Sequence, residues 1–412
     1  MGGDPQVKRY WKLIILSFVT VIVIGTFYIQ AGSAEKVNLH IEFEKVNGNE
    51  EELKDLIFYG DFLVGNMYQP LQITTEETIN PYGRTFLEQL SPQYNAPIFK
   101  DLINHHRSFM RGKELIPNNF FEDENLLVYA NVNGDFNHAP NRDGEFDIEV
   151  LNKKTEETIS FKSDVPFIEK YDWMHMEDVQ VVHNEIKLVV QGFGIEGGSD
   201  LRVYTFDVKE QLLVGNEPIV SFDSKENART DIRVMNELYS TITPQKYYAI
   251  HLETYEVQDV ESEENAVTYE GEPTVVANEI LVYDIKNNEA KQLEIPDEMT
   301  ESLYTASIFQ SSIYIYTQSD HVIEVNQYDF EKEEWAEKQK FYYEQAKGDD
   351  NEPFIKLMNG KIYMITLTNN GYNLLIGDLN IGKPLYEGKL QVKNQKEDPQ
   401  RYRLYFNEIN AL

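Results

Sequence analysis

Asn359-Gly360-Lys361-Ile362-Tyr363-Met364-Ile365, the turn Asn369-Asn370-Gly371, and then Asn373 to Asp378 read as two strands around a tight turn. Apolar residues fill both arms, and Asn-Asn-Gly supplies residue types that tolerate a left-handed backbone. The second arm closes on an aspartate beside an apolar residue, Asp378-Leu379. The same pattern recurs upstream. Ile313-Tyr314-Ile315-Tyr316 is followed by Ser319-Asp320 and by Val322 to Asp329. Tyr247 to Val257 is answered by Ile280 to Asp284, and Glu185 to Val190 by Leu201 to Asp207. A looser copy pairs Asn125 to Val132 with Glu145 to Leu151.

Asp284, Asp329 and Asp378 are 45 and 49 residues apart; Asp207 to Asp284 is 77, with the acidic stretch Asp259 to Glu272 inside it. A strand pair cannot bury both of its faces alone, so repeated pairs must stack on one another. Short strands recurring at such a period resemble the blades of β-propeller repeat proteins in general. No Trp-Asp or kelch motif points to a named family. The resemblance covers roughly 125–389 and implies an all-β fold, a β-propeller of about six or seven four-stranded blades. Such a fold has to join its two ends, and Tyr402 to Phe406 is expected to pair into the same blade as Val37 to Phe43. The stretch Glu331 to Asp350 reads as an outer strand or helix between blades, and Asp259 to Glu272 as a hairpin tip.

Residues from about 45 to 120 read differently. Glu50 to Phe58 and Pro97 to Met110 suggest short helices, the second with Ile98, Leu102, Ile103 and Phe109 on one face. Five prolines between Pro70 and Pro117 argue against long strands. A partly helical N-terminal insertion or cap is expected there.

Before this lies an apolar run, Leu13 to Ile29, free of charge and preceded by Lys8, Arg9 and Lys12. As a helix its 17 residues would extend about 25 Å, near the thickness of a bilayer core. The basic flank places residues 1–12 in the cytoplasm. Residues 13–30 are then a transmembrane anchor or an uncleaved signal, and 35–412 an extracytoplasmic domain. Gly32-Ser33-Ala34 offers small residues for cleavage, but the run is long for a signal core.

The chain carries 37 Lys+Arg against 70 Asp+Glu, a formal charge of −33. Nucleic acid as a partner is excluded, since it demands a basic stripe. There is no cysteine, which removes thiolate metal sites and thiol catalysis and leaves stability to the core.

Few residues suggest chemistry. His105, His106, Arg107, Arg111 and Lys113 form a basic cluster suited to an anionic ligand or partner, with Arg107 and Arg111 one helical turn apart. Asp135, Asn137, Asp143, Glu145 and Asp147 gather oxygen ligands around Gly144; calcium is the cofactor they would take, in an order unlike an EF-hand, and a plain turn uses the same residues. Met174-His175-Met176 has copper(I) ligand types, though a strand would turn the two methionines away from the histidine. Gly192-Phe193-Gly194-Ile195-Glu196-Gly197 matches a dinucleotide fingerprint by letter only, because it lies between two strands and opens no helix. No residue stands out as catalytic.

The expectation is a single-pass protein of a bacterial cell membrane. Its extracytoplasmic propeller would bind another envelope protein in a sensory, regulatory or assembly role. Two rivals are a hydrolase or lyase acting on an envelope polymer, and a calcium or solute binder. An enzyme requires a pocket of converging carboxylates or histidine, whereas a binding module requires an exposed apolar or aromatic patch.

Overall fold

A computed structural model describes residues 11–12, 15–20, 22, 40–64, 67–80, 98–134, 143–195, 198–223, 228–236, 241–256, 274–348, 351–393 and 402–411. These divide into two units. The smaller joins residues up to Val46, Leu53–Gln93 and Gly388–Ala411; the larger joins Asn47–Glu52 and Tyr94–Glu387.

The first strands are β1 (His40–Gly48), β2 (Leu56–Val64), β3 (Met67–Ile73) and β4 (Thr78–Ile79). The larger unit then lays down antiparallel sheets in chain order. The first is β5 (Phe120–Glu122), β6 (Leu126–Gly134), β7 (Gly144–Asn152) and β8 (Thr158–Asp164). The second is β9 (Tyr171–Val182), β10 (Glu185–Gly194), β11 (Gly198–Asp207) and β12 (Leu212–Asp223). The third is β13 (Ala228–Val234), β14 (Tyr247–Glu256), β15 (Thr274–Asp284) and β16 (Glu289–Leu293). The fourth is β17 (Ser307–Phe309), β18 (Ser312–Ser319) and β19 (Val322–Asp329), edged by β20 (Glu334–Trp335) and β21 (Gln339–Tyr342). The fifth is β22 (Phe354–Met358), β23 (Lys361–Thr368), β24 (Gly371–Asp378) and β25 (Lys383–Lys393), with the unit boundary falling inside β25.

Each hairpin read from sequence is the second and third strand of one of these sheets, as in Lys361↔Asp378 and Glu185↔Asp207. Their closing residue has a physical task. Asp284 Oδ1 accepts from the N–H of Lys286 and Asn287 (2.9 and 3.1 Å), Asp329 from Glu331 and Lys332, and Asp378 from Asn380 and Ile381. Asn152 does the same in the first sheet, accepting from Lys154 and Thr155. These are Asx turns, which redirect the chain into the fourth strand. Four residues on, Glu156, Gln211, Asn288, Glu333 and Gly382 all have positive φ. The next residue after the cap is apolar in four copies, and Ile285 and Leu379 are buried there.

Sheet stacking supplies the core. Val128, Phe146 and Ile148 of the first sheet share a cluster with Met174, Ile186, Leu188 and Phe206 of the second. Val189, Leu201 and Val203 on the second sheet's other face meet Ile232, Tyr248 and Ile250 of the third. Ala249 and Ile280 then meet Ile313 and Ile315 of the fourth, and Ile323 and Val325 meet Ile362 and Met364 of the fifth. Each buried aliphatic or aromatic side chain contributes about 1.5–3 kcal/mol. Several polar groups sit within this stacking, Asp178 and Lys187 among them. Asp178 on β9 accepts from Tyr248 Oη of β14 at 2.5 Å and from Gln180 Nε2 at 2.8 Å.

In the smaller unit the last strand, β26 (Tyr402–Ala411), pairs with β2, in the order β26-β2-β3-β4. The C-terminal segment thus joins an N-terminal strand as expected, but its partner is Leu56–Val64 and not Val37–Phe43. The latter region carries β1, which runs beside β25: Glu44 accepts from Gln391, and Lys393 pairs with Glu42 at 3.1 Å. The register slips between Tyr59 and Gly60, and a Cβ on Gly60 would stand 2.3 Å from the Tyr405 carbonyl oxygen.

The stretch 45–120 also differs from its reading. Glu50–Leu53 is a single 3-10 turn, and the predicted helix to Phe58 gives way to β2. Leu56, Ile57, Phe58 and Phe62 are buried, and this burial overrides local helix propensity. Pro70 lies in β3 opposite Asp61, short of the residues that β4 covers, so its missing N–H interrupts no second ladder. The second helix is real but broken, into α1 (Ile98–His105) and α2 (Arg107–Met110). Phe99, Leu102, Phe109 and Met110 pack on Phe120, Leu127 and Tyr129 of the first sheet. Glu331 to Asp350 does supply outer strands, β20 and β21, both paired with β19. The stretch 259–272 lies outside the described residues. Of the apolar N-terminal run, residues 15–20 and 22 are described; they are helical and exposed. Among the described residues no helix is long and apolar enough to cross a membrane.

Two outcomes follow. Gly60→Ala should push β26 off β2 and lower stability by about 2 kcal/mol, read as a fall in Tm. Burial lifts the Asp178 carboxyl from its ordinary 3.8 to about 7, against the lowering effect of its hydrogen bonds from Tyr248 and Gln180. The folded chain then holds that proton more tightly than the unfolded one. The group therefore favours folding at low pH, and its contribution is lost as pH rises from about 4 to about 7. Asp178→Asn should melt above the parent at pH about 8, with the gap closing toward pH about 4; a gap that widens on acidification would contradict this.

Candidate functional site: an aromatic platform on the second sheet

β9 and β10 are antiparallel, with Trp173 opposite Phe193 and His175 opposite Gln191. Strand alternation sends Met174 and Met176 to the other face, where they are buried among Tyr204 and Phe206. The copper reading fails on this geometry, since the methionines lie in the core and the histidine does not. Trp173, His175 and Phe193 form a nearly parallel stack. Ring centroids are 4.7 Å apart for Trp173–His175 and 5.4 Å for Trp173–Phe193, with interplanar angles of 25° and 20°.

The stack is held from below. His175 Nε2 lies 2.6 Å from Glu177 Oε1, and a carboxylate only accepts, so Nε2 carries the proton. Nδ1 is buried and lacks a hydrogen-bond partner among the described residues. The register slips between Val189 and Val190, so Glu177 has no opposite number on β10. This bulge lets Glu177 turn to His175 while Asp178 faces Tyr248. Asn118 Nδ2 donates to the Glu177 carbonyl at 2.8 Å and fixes the bulge from outside the strand.

The rim of the stack is apolar and wet. Trp173 is 53% exposed, Phe167 57% and Ile195 47%. Single exposed apolar residues are ordinary, but three at one end of one sheet form a patch. Ile195 N–H donates to the Lys170 carbonyl at 3.0 Å, which ties the end of β10 to the 3-10 turn Ile168–Lys170. Phe167 precedes that turn at φ 60, ψ 29, a left-handed conformation that costs a β-carbon residue about 1–2 kcal/mol. The Lys170 ammonium sits 5.0 Å from the centre of its ring. Strain that holds an aromatic ring in water is the kind stored at functional sites.

Behind the platform the opposite face is closed. Tyr171 Oη donates to Asp200 Oδ2 at 2.8 Å, and Arg202 approaches the same carboxylate at 3.3 Å. Burial, with Asp200 adjoining, holds the Tyr171 hydroxyl far above its ordinary pKa, and burial pushes Tyr204 up to about 12. Both phenols therefore stay neutral at any ordinary pH. Gly192 lies against the Tyr171 ring, where a Cβ would come within 2.5 Å. Its glycine serves this packing inside a hairpin, and the dinucleotide resemblance has no physical content.

The residues singled out from sequence are scattered. The Lys113 side chain is 4% exposed, pairs with Glu149 at 2.8 Å and lies 4.1 Å from the Phe109 ring centre, so it is not offered to an external anion. Arg107 and Arg111 are exposed, but α2 ends at Met110 and Arg111 is extended. Their predicted single helical face is therefore not formed. His105 Nδ1 is 2.9 Å from the Asp101 carbonyl, and the His106 ring stands 6.5 Å from that of His105. Of the calcium set, Asp135 and Asn137 lie outside the described residues. Asp143 is exposed, Glu145 accepts from Lys162, and Asp147 faces Asn131 across the ladder. Among the described residues no three His, Asp or Glu gather as metal ligands.

Four-stranded antiparallel sheets follow one another along the chain, an arrangement consistent with a propeller-repeat fold. No protein-family model matches the sequence, and no curated protein matches it. Solved structures similar to it include an acylaminoacyl peptidase from Pyrococcus horikoshii, at 12% identity and TM-score 0.28 over 67% of this chain. The match covers 45% of that peptidase's length. TolB from Acinetobacter baumannii is similar at 13% identity and TM-score 0.20, over 80% of this chain and 76% of its own. A nidogen/laminin complex is similar at 9% identity and TM-score 0.25, over 89% and 96%. Likeness this slight says nothing of activity, ligand or partner.

If the Phe167 ring is held outward for contact and not for packing, Phe167→Gly should leave Tm unchanged or raise stability by up to about 1 kcal/mol. A ring with a core role would cost about 3–5 kcal/mol on removal, and thermal melts separate the two.

Proposed function

We propose that this chain is a binding module tethered to a cell membrane, presenting its propeller repeats to another protein on the outer side. The observation that carries this reading is the exposed platform of Phe167, Trp173 and Ile195, backed by the Trp173–His175–Phe193 stack. Aromatic side chains in such patches anchor protein partners, because they bury large area at small conformational cost. The His175–Glu177 pair holds the stack rigid, which lowers the entropy lost on docking.

The tether rests on the basic flank Lys8, Arg9 and Lys12 and on the charge-free run behind it. Ile15, Leu16, Phe18 and Val19 are at least 49% exposed, so this helical stretch has exposed apolar side chains. A bilayer is the solvent that suits them. The charge of −33 keeps the folded part soluble and away from anionic lipid. Calcium at Asp143, Glu145 and Asp147 is the lesser reading, since Glu145 already has Lys162.

The test is a crosslinking pull-down from membranes with the full chain, in parent form and as Trp173→Ala with Phe167→Gly. One envelope protein should be recovered near stoichiometry with the parent and at least tenfold less with the double variant, about 1.4 kcal/mol of lost contact. Equal recovery by both forms would remove the platform from the interface. Turnover of a wall polymer by the purified chain would favour the hydrolase instead.

A further inference from the structure

The third and fourth sheets, both in the larger unit, frame a cleft of about 1000 Å³. Its wall is a continuous run of aromatic rings. Tyr247 lies 5.2 Å from Phe330, Phe330 6.2 Å from Tyr328, and Tyr328 5.2 Å from Trp335. Two lysines and five acids share this lining: Lys246 and Lys291 against Asp284, Glu289, Glu294, Glu331 and Glu333. Asp284 is committed to its Asx turn. Lys246 reaches Glu331 at 2.6 Å and Lys291 reaches Glu333 at 2.8 Å, so two ion pairs span from one sheet to the next. Glu289 and Glu294 are exposed on the third sheet's side.

The cleft already shows how it treats a cation. The Lys246 ammonium stands 4.7 Å from the Tyr247 ring centre while its other side meets Glu331. A ring face on one side and a carboxylate on the other is a good environment for ammonium or guanidinium. Both spanning pairs are solvent-exposed, with side chains 48–68% accessible. Exposed pairs hold weakly and exchange partners readily. An incoming cation can therefore take over Glu331 or Glu333, and Glu289 and Glu294 line the cleft with further charge and form no ion pair among the described residues.

We infer that this cleft receives the basic side chains of an extended peptide segment of a partner protein. Arginine suits it best, since its planar head stacks on Tyr328 or Trp335 and its fork meets a carboxylate. The volume accommodates more than one side chain. The site uses none of the second-sheet platform, and stands or falls apart from it.

The experiment is a calorimetric titration of the full chain with a capped Gly-Arg-Gly-Lys-Gly peptide, at low and at high salt. Binding should be seen at low salt and weaken at least about tenfold on raising salt from about 50 to about 500 mM. Glu289→Gln with Glu294→Gln, both exposed, should weaken it by about fivefold or more at unchanged Tm, and Trp335→Ala by about tenfold. Trp173→Ala should leave it unchanged, which separates this site from the platform. Three results overturn the inference: no heat with the parent, equal affinity in the double glutamine variant, or equal affinity for a Gly-Gln-Gly-Gln-Gly peptide. Spermidine binding as tightly as the peptide would overturn the assignment to a protein segment.

Discussion

A four-stranded antiparallel sheet has two faces and can bury neither alone. Everything in the larger unit depends on the answer to that constraint, which is face-to-face stacking of successive sheets. The second sheet shows it best. Met174, Ile186, Leu188 and Phe206 close one face against the first sheet, while Val189, Leu201 and Val203 close the other against the third. No cysteine staples the chain, so these apolar contacts and the backbone ladders carry its stability. The cost appears where a polar group is caught between faces. Asp178 must be satisfied by Tyr248 and Gln180, since a buried carboxylate without partners would destabilise the stack.

Stacking also decides where exposed chemistry can lie. Interior faces are taken, so free side chains gather at sheet ends and along the grooves between sheets. The aromatic platform is of the first kind, at the start of β9 and the end of β10. The cation-lined cleft is of the second kind, between the third and fourth sheets. In both, the irregular backbone is local: a bulge at Glu177, a left-handed Phe167, a left-handed Glu333. Regular strands hold the position, and these few residues aim the side chains.

How far the letters alone carry the reading can be seen from particular residues. The recurring aspartates Asp207, Asp284, Asp329 and Asp378 were visible as a repeat, and their hairpins form in the register that the turns imply. Why an aspartate recurs was not visible, because an Asx turn with positive φ four residues later is a backbone fact. The helices of Glu50–Phe58 and the pairing of Val37–Phe43 were misread for one reason. Leu56–Val64 has enough buried apolar residues to be a strand once β26 arrives beside it, and β26 lies nearly 340 residues away in the chain. Lys113 looked like part of a basic surface, and only packing shows it sunk between Phe109 and Tyr129 with Glu149.

By itself the sequence determined the class of fold, the acidic surface, the absence of thiol chemistry and the alternation that separates Met174 and Met176 from His175. These are local or compositional properties, set by residue type and by the two-residue period of a strand. The tertiary structure alone decided which strand the C-terminus joins, which charges are buried, and which aromatic residues stay in water. Trp173 and Trp335 are both tryptophans in strands. One caps an exposed stack and the other lines a cleft, because burial is set by the neighbouring sheet and not by the residue's own segment.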